Sequence, residues 1–207
     1  MTHAQADAQI ASATFQVRFH GRGGQGVVTA AEMLSVAAFL DGRYSQAFPS
    51  FGSERTGAPV VSYCRISERE IRTRAPIDAP DALIVQDATL VHQVDLFAGI
   101  REDGFILVNT SQSFDDLGLG DLAERFHPDH LLTVPATEIA LRHLGRPLPN
   151  AVLLGGFAVM TGVVTIDSVV AAIEERFHGA VAQGNAAAAQ EAAALVAEER
   201  LARASSD

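Results

Sequence analysis

The sequence predicts an α/β domain: three layers around a largely parallel or mixed sheet, a glycine-rich loop after the first strand, and a helical extension at the C-terminus. Three observations predict it. Residues 15–40 read as a short strand, a loop with four glycines in six positions, and an apolar helix. From Ala79 onward, apolar runs of strand length alternate with helical stretches, as expected of strands covered on both faces. A chain of 207 residues can also bury about 70% of its unfolded surface, so one core suffices. The expected division is a flexible tail over residues 1–13, a domain over 14–180 and an alanine-rich helix or tail over 181–207.

In the first strand, Phe15, Val17 and Phe19 alternate with polar residues. The loop is Gly21-Arg22-Gly23-Gly24-Gln25-Gly26, and an apolar helix follows over 27–40. A second strand is expected over 43–49, ending at Pro49, which cannot donate to a ladder. Residues 50–59 form a restrained loop with two glycines and the adjacent pair Glu54-Arg55. Residues 60–66 read as a strand, with a shorter strand, 70–73, hairpinned to it.

Beyond Ala79, strands are expected over 82–85, 104–109 and 130–134. Helices are expected over 90–97 and 135–144, and residues 111–120 read as a polar loop. Asn150 reads as the N-cap of a helix over 151–162. Gly155 and Gly156 weaken that helix, which suggests close contact with another backbone. Asp167 reads as the cap of a helix over 168–177. Asn185 reads as the cap of a final helix over 186–202, either an arm leaning on a partner or a frayed tail.

The glycine loop carries the first chemical signal. Glycines allow positive φ and close backbone approach. A helix start presents free N–H groups and the positive end of the helix dipole. Together they suit a phosphate or another anion. Gly21, Gly23 and Gly26 also fit G-x-G-x-x-G. The dinucleotide reading further needs an acid closing the second strand, and Asp41 falls before that strand. No Lys-Ser/Thr pair follows the glycines, so this is not a P-loop. A tight turn that binds nothing is the plain alternative.

Bulk properties narrow the classes. The net charge of −10 argues against a general nucleic-acid binder. Cys64 is the only cysteine, so neither an internal disulfide nor a cysteine-ligated cluster can be built from this chain alone. No apolar run is long enough to span a bilayer, and the N-terminus lacks the pattern of a signal peptide, so a cytoplasmic location is expected.

Arg22 is placed for an anion or stands solvated. Arg55 can hold a phosphate or carboxylate bidentately, and Glu54 can bond a donor on a ligand or subunit, or the two brace the loop. Asp87 and Asn109 follow strand ends, where ligands of open α/β sheets collect, or simply form turns. The histidines lack metal spacing, and no G-x-S-x-G elbow is present. Cys64 reads as a core residue. A ligand loop without a self-contained catalytic set suggests a subunit.

The glycine loop at 21–26, followed by Gln46-Ala47-Phe48-Pro49-Ser50-Phe51-Gly52-Ser53-Glu54-Arg55-Thr56-Gly57-Ala58-Pro59-Val60, resembles the gamma subunit of the 2-oxoacid:ferredoxin oxidoreductases. It is most similar to the pyruvate type, with phenylglyoxylate enzymes looking alike. Thr56 stands where many relatives have another small residue or glycine. The resemblance covers residues 15–178. It implies a complex that decarboxylates a 2-oxoacid on thiamine diphosphate with magnesium, passes electrons through iron–sulfur clusters to ferredoxin or NAD, and forms acyl-coenzyme A. It implies partner alpha and beta subunits holding the thiamine cofactor and a ferredoxin-like delta subunit holding clusters. For this chain it implies help in receiving coenzyme A, near Gly21, Arg22, Gly23, Gly24, Gln25, Gly26, Ser53, Glu54 and Arg55. The alternatives are a stand-alone nucleotide-binding oxidoreductase and a purely structural assembly subunit.

Overall fold

A computed structural model of the chain describes residues 14–50 and 56–205. The expected tail at 1–13 and the loop residues Ser53, Glu54 and Arg55 lie outside the described residues. Six strands form one sheet: β1 (Phe15–Arg22), β2 (Tyr44–Pro49), β3 (Pro59–Ser67), β4 (Ala82–Val85), β5 (Phe105–Asn109) and β6 (Leu131–Val134). Their order is β2-β3-β1-β4-β5-β6. β1, β4, β5 and β6 run parallel, while β3 runs against both β1 and β2. The sheet is therefore mixed, as expected.

The helices are α1 (Val27–Leu40), α2 (Gly120–Ala123), α3 (Ala136–Leu144), α4 (Asn150–Thr161), α5 (Ile166–Arg176) and α6 (Gly179–Ala204). Strand periodicity sorts the core into two. Val17, Phe19, Cys64, Ile84, Leu107 and Leu132 point to the face covered by α1, α3, α4, α5 and α6. Leu83, Val85, Ile106 and Val108 point to the other face. That third layer is made of short pieces: 3-10 turns at Ala88–His92 and Pro128–His130, α2, and the loops that bring Leu96, Leu117 and Phe126 inward.

Several local expectations are corrected. Residues 70–73 form no strand, because β3 already has β1 and β2 on its two edges. The stretch that follows, 75–77, is a source of carbonyls: Arg65 donates to Ala75 and Pro76, and Arg18 to Ile77. The helix expected at 90–97 is a 3-10 turn, begun by the Asp87 carboxylate accepting from the Thr89 amide. Arg18 then captures the carbonyls of Leu96 and Ala98, which a continuing helix would have used.

Asn150 is not a cap: Pro149 holds that position and Asn150 is the first helical residue. Thr165, not Asp167, caps α5, its hydroxyl accepting from the Ser168 amide. Asn185 lies inside α6, where its side chain donates to the Val181 carbonyl one turn back. The last helix is neither a frayed tail nor an arm. Its alanine face, from Ala182 to Val196, is buried against α3, α4 and α5. The expected backbone approach at Gly155 is observed, and its partner is α6.

Candidate functional site

The C-terminal ends of β1, β4 and β5 and the starts of α1, α3 and α4 lie at one end of the sheet. Ligands of open α/β sheets gather there. At its centre is the mouth of α1. Gly24 and Gly26 have φ of 96° and 72°, values that glycine adopts without strain. No side chain caps this helix. The amides of Gly24, Gly26, Val27, Val28 and Thr29 have no hydrogen-bond partner among the described residues. Gly24 is exposed and, among the described residues, nothing lies within 4 Å of where its Cβ would be.

The rest of the loop is pinned. Gly23 donates to the Ala58 carbonyl and accepts from the Gly57 amide. Thr56 forms an isolated bridge with Gly23, so the end of the second loop is fastened to the first. The Gln25 carboxamide folds back, its Oε1 accepting from the Arg22 amide at 2.7 Å and its Nε2 donating to Asp87 Oδ2 at 2.8 Å.

Arg22 is half-buried and held by partners within the chain. Its Nε lies 3.2 Å from Asp87 Oδ2. Its terminal nitrogens donate to Thr89 Oγ1, Gln93 Oε1 and the Gly57 carbonyl. The guanidinium is a strut joining β1, the turn after β4 and the second loop. Burial alone would raise the Asp87 carboxyl, but hydrogen bonds from Thr89 and Gln25 and the charge of Arg22 hold it below the usual carboxylate range.

Other expected residues take structural work. Asn109 ties β5 to β4 and α3: its Nδ2 donates to the Gln86 carbonyl and to Thr137 Oγ1, and its Oδ1 accepts from the Thr137 amide. Asp41 ends α1 and accepts from Thr165 and Ser168, so it is turned away from any ribose. Cys64 is fully buried in β3, and desolvation pushes its thiol far above the usual range. Among the described residues, no group of three His, Cys, Asp or Glu side chains is arranged to hold a metal ion.

Reading the sequence missed Thr89 and Gln93, which anchor Arg22, and Asn150, which lies against Gly26. A Cβ on Gly26 would stand 2.6 Å from Asn150 Nδ2. The Pro149-Asn150 pair signals a helix start, but nothing local says which loop it faces.

Residues 16–195 match the pyruvate ferredoxin/flavodoxin oxidoreductase family. The pyruvate synthase subunit PorC of Methanothermobacter marburgensis is 50% identical over 84% of this chain and 93% of its own length. The pyruvate/ketoisovalerate oxidoreductases common subunit gamma of Pyrococcus abyssi is 49% identical over 86% of this chain and 94% of its own. Among solved structures, pyruvate oxidoreductase subunit PORC from Thermotoga maritima superposes with a TM-score of 0.73 at 34% identity, covering 87% of this chain and 95% of that one. The fold also recurs, at 15% identity and a TM-score of 0.67, in the 2-oxoglutarate:ferredoxin oxidoreductase from Magnetococcus marinus, solved with 2-oxoglutarate, coenzyme A and succinyl-CoA bound. It covers 89% of this chain and 31% of that one.

Proposed function

Because the chain belongs to the pyruvate ferredoxin/flavodoxin oxidoreductase family as its gamma-type subunit, we propose that it receives coenzyme A for a multi-subunit 2-oxoacid:ferredoxin oxidoreductase and helps to assemble that complex. Partner alpha and beta subunits hold thiamine diphosphate and magnesium, and a delta subunit holds iron–sulfur clusters. Those groups supply decarboxylation and electron transfer to ferredoxin or NAD. This chain supplies binding and orientation. The product is the acyl thioester, with pyruvate or a close 2-oxoacid as substrate.

One observation carries this reading: five amides at the mouth of α1 lack partners among the described residues while Arg22, Gly23 and Gln25 beside them are fastened. A rigid cradle of N–H groups at a helix start favours phosphate oxygens, and coenzyme A is rich in them. Arg22 shapes the cradle instead of touching the ligand. Ser53, Glu54 and Arg55 complete the site from the second loop. In support, Thr56, which follows Arg55 in the chain, is bridged to Gly23.

Thr29→Glu in the assembled complex tests it. Thr29 is in the first turn of α1, where a carboxylate favours the helix but repels an anion. The KM for coenzyme A should rise at least tenfold with no loss of melting temperature and no change in the KM for the 2-oxoacid. An unchanged KM for coenzyme A refutes the reading and leaves a structural assembly subunit.

A further inference from the structure

Two helix starts meet at the mouth, and neither has a side-chain cap. Gly26 leads into α1, and Asn150 begins α4. The neighbouring helices are treated differently: the Asn109 carboxamide accepts from an amide in the first turn of α3, and the Thr165 hydroxyl does the same for α5. At α4, the amides of Asn150, Ala151 and Val152 have no partner among the described residues.

Two buried carboxamides flank the loop without a hydrogen-bond partner among the described residues. Asn150 is 6% exposed, lies against Gly26, and its side chain has no hydrogen bond among the described residues. Gln86, directly after β4, is 1% exposed, and both its Nε2 and its Oε1 are unpartnered. Its Cβ lies 3.2 Å from where a Cβ on Gly21 would stand, so it roots beneath the loop. A buried polar group left unpaired is destabilising, and proteins rarely keep one without use; the Gln86 carboxamide is such a group among the described residues. Asp87, after β4, is already paired with Arg22 and bonded by Gln25 and Thr89.

We propose that the Asn150 side chain and the free amides of α4 form a second phosphate subsite, so that a diphosphate bridges the starts of α1 and α4 with Gln86 behind it. This rests on the coenzyme A reading above and names the part of the ligand that the mouth grips. The α1 amides take one phosphate and the α4 amides with Asn150 Nδ2 take the other.

The test uses the assembled complex, with inorganic pyrophosphate as a competitor of coenzyme A. Asn150→Asp keeps shape and replaces a donor by a negative charge. It should raise the KM for coenzyme A and the Ki for pyrophosphate at least tenfold, with the KM for the 2-oxoacid unchanged. Asn150→Ser, which keeps a shorter donor, should raise both several-fold. If Asn150→Asp fails to assemble, Asn150→Ser decides. Values within twofold of the unaltered complex, or pyrophosphate that does not compete with coenzyme A, overturn the second subsite. Should Thr29→Glu raise the KM for coenzyme A while the Asn150 variants do not, only this inference falls. Should none of these variants raise it, the reading of the mouth falls with it.

Discussion

The carbonyl oxygen of Ala189 in α6 lies 1.9 Å from the point where a Cβ on Gly155 of α4 would stand. The two helices pack backbone to backbone, and the missing side chain is what lets them. Gly155→Ala would gain about 1 kcal/mol of helix propensity. It would also force α4 and α6 apart across a face that buries Ala188, Ala189 and Ala192. Overpacking of this kind typically costs about 1–3 kcal/mol and here involves rigid backbone. The expected result is a net loss of stability, read as a lower melting temperature. A melting temperature at or above that of the unaltered chain would show that the helices can separate freely.

His20 in β1 is 7% exposed and its Nε2 has no partner among the described residues. Burial, and then the charge of Arg18, lower its pKa to about 4. The folded value lies below the unfolded one of about 6.5. Stability is therefore fully present above pH 6.5 and is lost as the pH falls toward 4, by up to about 3 kcal/mol. His20→Leu should flatten the stability profile across that window. Parallel profiles for both proteins in urea titrations would refute the assignment.

Asp41 closes the end of α1 onto the start of α5. It accepts from the Thr165 amide at 2.8 Å, the Thr165 hydroxyl at 2.9 Å and the Ser168 hydroxyl at 2.5 Å. Burial alone would raise its pKa, but these bonds outweigh it and the net shift is downward. The stability it contributes is present above the ordinary carboxylate pKa and is lost as the pH falls through the depressed value. Asp41→Asn should lower the melting temperature at pH 7 and shrink the difference from the unaltered chain in strong acid. A difference that stays constant with pH would mean the carboxylate charge is not what matters.

Asp87 gathers Arg22, Gln25 and Thr89 beside the mouth. Asp87→Ala frees both the strut and the folded-back Gln25. The KM for coenzyme A in the complex should rise roughly tenfold, the scale expected when one charge-assisted hydrogen bond and the geometry it fixes are removed. Arg22→Ala should act in the same direction, and the double variant should add little, because one network is removed either way. Fully additive effects would show that Arg22 touches the ligand itself.

Much of this fold was legible from the sequence because its signals are local. The glycines of residues 21–26 announce a tight strand-to-helix turn whatever surrounds them. The apolar runs at Ala82–Val85 and Phe105–Asn109 are buried on both faces and read so without partners. Short-range patterning could not assign residues 70–73, since whether a strand pairs depends on a free sheet edge, and β3 has none. It misplaced the caps at Asn150, Asp167 and Asn185, since each helix start shifts by a residue or more according to what it packs on.

The α/β class, the open glycine mouth and, through the pairing of its two loops, the family all follow from the order of residues along the chain. The job of each polar side chain at the mouth does not; packing assigns it. Packing turned Arg22 into a strut, set Asp41 and Asn109 to bracing, and brought Asn150, more than a hundred residues away in the chain, against Gly26. The two kinds of information differ in range. Backbone conformation and helix-start amides are set by neighbours a few residues apart, whereas hydrogen-bond partners and burial are set by groups that only the packed sheet and helices bring together.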